Sequence, residues 1–288
     1  MRATAFCPGH ITGFFFPCEH DDPLRSGSRG AGLCVDRGAT ATVTVEEGRG
    51  DITIAVDGAG AEAPVTRTAA AIMLGGRPLD VRIETALDLP VSAGFGMSAA
   101  GALSAALALA EVLGSDRSDA FAAAHRAELA NRTGLGDVPA LTAGGLTFRR
   151  REGLPPYGQI DRLADRLDIV AAVVGGSMRT ANVLGDRERR SRIERVGREC
   201  YELLSGGPTV DNFFRASRDF AERTGLASRK VMGALEDIGA FGTGSMVMLG
   251  NSVFAAGDLD AIEGALREHG PTYRLSLDAR GPRVLDHS

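Results

Sequence analysis

No apolar run in this 288-residue chain approaches membrane-spanning length, because Gly, Pro or a charged residue interrupts each one. The first residues, Met1 to Gly9, hold too short an apolar core for a secretory signal, so a cytoplasmic protein is expected. Excess positive charge is missing too. The formal net charge is −5 and the pI lies near 5.6, which leaves no global field to attract nucleic acid. Arginine-dense stretches at 149–151 and 187–198 are the exceptions, and Glu188, Glu194 and Glu199 break up the second as a solvated helix face does. Paired cysteine motifs are absent: Cys7, Cys18, Cys34 and Cys200 show no C-x-x-C spacing, and a chain of this size needs no disulfides. Cys7 and His10 stand three apart without the second ligand pair that zinc requires. Internal repeats and low-complexity segments are lacking as well. What remains is 44% hydrophobic and 24% charged, the composition of a globular chain with one large domain or two modest ones.

The pattern of the chain gives an α+β reading. A short strand is expected at 1–6, then a turn at Cys7-Pro8-Gly9-His10. Segments 38–45 and 51–56 read as a hairpin, with Thr and Val alternating. A helix at 61–74, a strand at 81–87, helices at 98–113 and 119–131 and a strand at 145–150 follow. The stretch Glu152-Gly-Leu-Pro-Pro-Tyr-Gly158 reads as a linker, dividing the chain into 1–155 and 156–288. Beyond it come a strand at 168–174, helices at 187–204, 210–224 and 228–239, strands at 245–249 and 252–256, a helix at 258–268 and a strand at 273–277. Strands before and after helical blocks argue for α+β over alternating βαβ units.

The most informative segment is Pro90-Val-Ser-Ala-Gly94-Phe95-Gly96-Met97-Ser98-Ala99-Ala-Gly101. Its glycines allow a tight turn with exposed N–H groups, and the helix that follows presents free donors and a positive dipole end. An anion held by main chain, with Ser98 available to a cation, suggests a nucleotide phosphate. No Gly-Lys-Ser/Thr follows, so this is not a Walker loop. It also lacks the acidic residue that completes a dinucleotide fingerprint. Glycines serving only tight packing are the alternative.

Two acidic residues lie downstream. Phosphoryl transfer from ATP requires cradled phosphates, magnesium on their oxygens and a steered acceptor hydroxyl. Glu128 offers magnesium a hard oxygen ligand beside Ser98, and Asp137, in Gly134-Leu-Gly136-Asp137-Val-Pro139, can accept the proton of an attacking alcohol. Asp137 also suits a helix N-cap, with Pro139 in the first turn, and Glu128 suits a solvated helix face.

Taken together, Cys-Pro8-Gly9-His10-Ile, the Gly94–Ala99 segment, Gly136-Asp137 with Gly144-Gly145, and Gly242-Thr243-Gly244-Ser245-Met resemble the GHMP small-molecule kinase superfamily across essentially the whole chain. The segments Pro-Gly-His-Ile-Thr-Gly-Phe-Phe, Asp-Pro-Leu-Arg25-x-Gly-Ser28-Arg29-Gly and Gly-Phe-Gly-Met-Ser are most similar to the archaeal pantoate kinases. The resemblance implies a two-domain fold: an N-terminal domain like the second domain of ribosomal protein S5, and a ferredoxin-like C-terminal domain. It implies transfer of phosphate from ATP, with Mg2+, to pantoate, giving 4-phosphopantoate for coenzyme A synthesis. A homodimer is the assembly expected. By position, Pro90 and Gly94 to Ala99 match the nucleotide-binding motif, Ser98 and Glu128 the metal ligands and Asp137 the catalytic aspartate. His10 stands where mevalonate kinase has a lysine near the acceptor, and Met97 replaces the first serine of the usual Gly-Ser-Ser. The Gly242–Ser245 segment, poorer in glycine than its counterparts, is expected to support the phosphate loop.

Pantoate is a hydroxy acid, so its carboxylate needs a partner. Arg25 and Arg29 suit it, guanidinium being a bidentate donor; His10, His20, Ser28 and Thr180 complete the expected acceptor set. Phe14 to Phe16 read as core, and Met246, Met248 and Leu249 as buried strand residues. Two alternatives remain: the same chemistry on another small alcohol, such as homoserine or mevalonate, or a non-catalytic ligand-binding relative.

Overall fold

Two long antiparallel strands, β1 (Arg2–Cys18) and β2 (Gly27–Glu47), run side by side through the molecule and organise everything else. The computed structural model describes residues 1–176 and 186–287. Around this pair form β3 (Ile52–Val56), β4 (Ala59–Gly60), β5 (Leu79–Leu87), β6 (Leu146–Arg151), β7 (Gln159–Ala164) and β12 (Arg283–His287). They make an eight-stranded sheet in the order β12-β1-β2-β5-β3-β4, with β6 joining β2 and β7 joining β6. The second sheet has four strands, β8 (Asp168–Val173), β9 (Gly242–Val247), β10 (Ser252–Gly257) and β11 (Thr272–Ser276), ordered β11-β8-β10-β9. Fourth, first, third, second is the strand order of a ferredoxin-like unit.

Four helices serve the first sheet: α1 (Pro64–Leu74), α2 (Met97–Leu113), α3 (Arg117–Ala130) and α4 (Asp137–Ala143). The chain then adds α5 (Arg187–Gly206), α6 (Val210–Thr224), α7 (Arg229–Asp237) and α8 (Leu259–Arg267). Helix α2 is buried almost all round, with Ala at most core positions and Gly101 among them; these small side chains bring its backbone close to its neighbours. Among the described residues no helix is long and apolar enough to cross a membrane. The arginine-dense α5 is a solvated face, as expected: Arg192 pairs with Glu188 at 3.0 Å and Arg198 with Glu194 at 2.8 Å. Phe14, Phe15 and Phe16 are buried core residues.

Several expectations are corrected. Cys7 to His10 do not turn; β1 continues through them, and the register shifts between Pro8 and Gly9, where β2 inserts Asp36 and Arg37. Segments 38–45 and 51–56 are not a hairpin, because β5 lies between them, antiparallel to β2 and parallel to β3. Helix α4 begins where the N-cap reading of Asp137 placed a helix start, and strands β4, β7 and β12 add to the expected elements. The proposed division at 155/156 falls just before β7, which still pairs with β6, and β12 returns to pair with β1.

Candidate active site

The loop leading into α2 passes three times through left-handed backbone, at Ser92 (φ 62°), Gly94 (φ 95°) and Gly96 (φ 67°). A Cβ at Gly94 would lie 2.7 Å from the Val247 side chain, so a larger residue would both strain and collide. No side chain caps α2. Its ladder begins with the Ala100 N–H on the Gly96 carbonyl, at 2.9 Å. The Met97, Ser98 and Ala99 amides precede that bond and find no protein acceptor among the described residues. Their residues, with Gly94 to Gly96, line a cavity of about 360 Å³, and an uncapped helix start at a cavity wall suits an anion. Pro90 is half-buried and outside the lining.

The second sheet clasps this loop from behind. Ser252 Oγ–H donates to the Ala93 carbonyl at 2.7 Å, and a Cβ on Gly250 would meet that oxygen at 2.1 Å. Support therefore comes from the β9–β10 turn, rather than from Gly242–Ser245, which lies within β9. Met248 and Leu249 belong to that turn and line the cavity, instead of being interior strand residues.

Glu128, in the last turn of α3, is buried. Its Oε1 accepts the Asp137 N–H at 3.4 Å and its Oε2 the Val138 N–H at 3.5 Å, so it serves the start of α4. Burial pushes its carboxyl pKa up, and His125, with Nδ1 3.9 Å from Oε2, opposes the shift only in part. A Cβ on Gly134 would sit 2.1 Å from Oε1, so a larger residue there would push the Glu128 carboxylate aside. Glu128 and the exposed hydroxyl of Ser98 line one cavity. A buried carboxylate held by two long N–H bonds and His125, in one cavity wall with a hydroxyl, is a set of hard oxygens that fits Mg2+.

Asp137 is the first residue of α4, with Gly136 rather than Asp137 at the cap position. Its side chain is 27% exposed, towards the cavity. Burial alone would raise its pKa, but the His10 hydrogen bond, Arg149 and Thr12 outweigh it and hold the carboxyl below its usual range. His10 Nδ1 lies 2.8 Å from Asp137 Oδ1; a carboxylate only accepts, so Nδ1 carries the proton. His10 is 1% exposed, and its main-chain N–H donates to the Phe95 carbonyl at 2.9 Å. It thus stands behind Asp137 and joins it to the phosphate loop, instead of lining the cavity as an acceptor contact.

The expected acceptor set is otherwise divided. Ser28 lines the cavity. His20 and Arg29 lie outside its lining and share Glu152: His20 Nε2 approaches Oε1 at 2.8 Å and Arg29 Nε donates to Oε2 at 2.6 Å. Arg25 stacks over the Tyr157 ring, 5.4 Å from its centroid, in a separate small pocket. Thr180 lies outside the described residues. Two cations line the cavity, Arg132 and Arg149; Arg149 is buried in β6, with Nε donating to the Ser28 carbonyl at 3.3 Å and Nη1 lacking a partner among the described residues. Burial lowers its pKa, while Asp137 and Glu128 work against that shift. Strand alternation in 145–150 was the available signal, since it sets Thr147 and Arg149 on one face. Thr12, Asn131, Arg132 and Thr133 also line the cavity without having been singled out.

Phosphate-ready amides, a hydroxyl–carboxylate pair and an ionised aspartate around one cavity define a small-molecule phosphotransferase, and known proteins agree. Residues 64–145 match the GHMP kinases N terminal domain. The chain is 34% identical over 297 residues to a pantoate kinase of Methanospirillum hungatei, covering 99% of this chain and 96% of that one. A pantoate kinase of Thermococcus kodakarensis is 35% identical over 271 residues, 88% of this chain and 87% of its own. A solved structure described as a phosphotransferase related to the CoA biosynthesis pathway is 31% identical, with a TM-score of 0.89 over 99% of each chain. A homoserine kinase structure from Cytophaga hutchinsonii, 16% identical with a TM-score of 0.73, shares the fold. The chain belongs to the pantoate kinases of the GHMP kinase family.

Proposed function

We propose that the protein transfers the terminal phosphoryl group of ATP to the primary hydroxyl of pantoate, yielding 4-phosphopantoate and ADP on a route to coenzyme A. The observation that carries this reading is the convergence of the free α2 amides, Ser98, Glu128 and ionised Asp137 on one cavity that also holds a guanidinium. The amides of Met97 to Ala99 receive the phosphates. Ser98 and Glu128 would hold Mg2+, which neutralises charge developing on the phosphate oxygens. Asp137 accepts a hydrogen bond from the acceptor hydroxyl and takes its proton as oxygen closes on phosphorus. His10 fixes its orientation, leaving one carboxylate oxygen for substrate. Arg149, with an unpartnered Nη1, takes the carboxylate of the hydroxy acid, and Ser28 lies beside it. A homoserine site would need an acidic or carbonyl partner for the amine; the cation in this wall favours an acid. ATP supply makes the cytoplasm the compartment this reading requires.

The test is ADP release with pantoate, homoserine and mevalonate, each with Mg2+ and ATP. Turnover is expected with pantoate. Turnover confined to another alcohol would replace the substrate, and inertness with all three would favour a binding protein.

A further inference from the structure

Helix α3 ends in a Schellman arrangement. The Arg132 N–H donates to the Leu129 carbonyl at 3.1 Å and the Thr133 N–H to the Glu128 carbonyl at 3.3 Å. Arg132 has φ 52°, in the left-handed region where a Cβ is crowded and glycine is the usual occupant. The chain follows that rule at other helix ends: Gly75 after α1 (φ 58°), Gly114 after α2 (φ 64°) and Gly225 after α6 (φ 67°). At the helix end that enters the active site it keeps an arginine. Asp57, Ala63, Ser92 and Leu249 also hold positive φ without being glycine, so the conformation alone assigns no role and what this arginine faces decides it.

The surroundings say which use. Arg132 is exposed and lines the cavity with Ser98, Glu128 and Asp137. It also borders an adjoining cavity of about 1220 Å³. Glu128, the acid nearest in sequence, lies against His125 instead. Among the described residues of the cavity wall, the cations are Arg132 and Arg149, against the acids Glu128 and Asp137. Arg149 already sits in the field of both acids, beside Ser28. A triphosphate adds several negative charges, and Arg132 is the cation left to meet them.

Resting on the kinase reading above, we propose that Arg132 contacts the terminal phosphate of the bound nucleotide, its guanidinium donating to the oxygens of the phosphoryl group in transfer. It directly follows the helix that carries Glu128 and borders both cavities, whereas Arg149 is buried beside Ser28 and Asp137.

The test compares Arg132→Gly and Arg132→Lys with the parent by thermal melting, steady-state kinetics and calorimetric titration with ATP and ADP. Arg132→Gly suits the left-handed backbone and should melt no lower, with a rise of about 2 °C. Its kcat/KM should fall roughly 100-fold, its ATP affinity should fall more than its ADP affinity, and Arg132→Lys should recover part of both. A glycine variant as stable as the parent and within threefold of its kcat/KM would overturn the proposal. So would a loss confined to the KM for pantoate with unchanged ATP binding. If the parent phosphorylates no alcohol, the ATP-to-ADP affinity ratio still decides the role of Arg132 separately from the choice of acceptor.

Discussion

Arg29 and Arg149 lie on neighbouring strands, within one residue of facing each other, since Gly30 is the residue opposite Arg149. Alternation sends them to different faces of the sheet, and their fates diverge. Arg29 reaches Glu152 at 2.6 Å, and that pairing raises its pKa, led by the Glu152 hydrogen bond. Arg149 enters the cavity with Nη1 unsatisfied. A charge already met by an internal carboxylate holds the loop together; a charge left unmet in a cavity waits for a ligand. The number of arginines near a site therefore says less than which of them lacks a partner.

Three experiments sharpen or break that contrast. The largest effect is expected on the cavity face itself: Asp137→Ala should lower kcat by roughly 1000-fold, with ATP affinity held within threefold by calorimetry. A loss of ATP binding of the same size would move Asp137 from the chemistry to nucleotide binding. Next, Arg149→Lys should raise the KM for pantoate by about 100-fold, because an ammonium cannot replace a two-pronged donor. Arg29→Lys should leave that KM within twofold. Equal effects at the two positions would erase the distinction drawn here.

The smallest effect belongs to the paired side. Burial would raise the Glu152 pKa, but Arg29 and His20 override it and bring the carboxyl from 4.5 to about 2. Its stabilisation is complete above about pH 4.5 and is lost as pH falls towards 2. Glu152→Gln should accordingly cost about 1 kcal/mol at pH 7, with the gap to the parent closing in urea melts as the pH is lowered through that window. Its kcat should be unchanged, and a tenfold loss would place Glu152 in the catalytic machinery.

Local signals were readable in the sequence, while remote partnerships were not. The Gly94 and Gly96 turn, the α2 helix and its stop at Gly114 depend on backbone freedom and an alanine run within a few residues. The identity of a strand's neighbour depends on distant residues, so the 38–56 hairpin looked sound until β5 came between its arms. Pro8 and Gly9 have turn composition, yet extra residues in β2 absorb the disruption and β1 continues. Helix α4 is seven residues long, too short to show a period, and much of β12 is exposed, so no apolar alternation announced it. Ser98, Glu128 and Asp137, which the fold brings to one cavity, stood out in the sequence because each sits in a glycine-marked or helical frame. Arg149 was hidden in a run of three arginines, where composition suggests solvent and only strand pairing reveals burial.

The bond from Ser252 to Ala93 spans 159 positions of sequence, so the nucleotide loop takes its shape from chain that is made long after it. Neither half expressed alone would hold the loop before α2 in this shape. Grafting the later half of a relative with another acceptor onto this one would shift ATP affinity together with substrate choice, which ties the two properties into a single inherited unit.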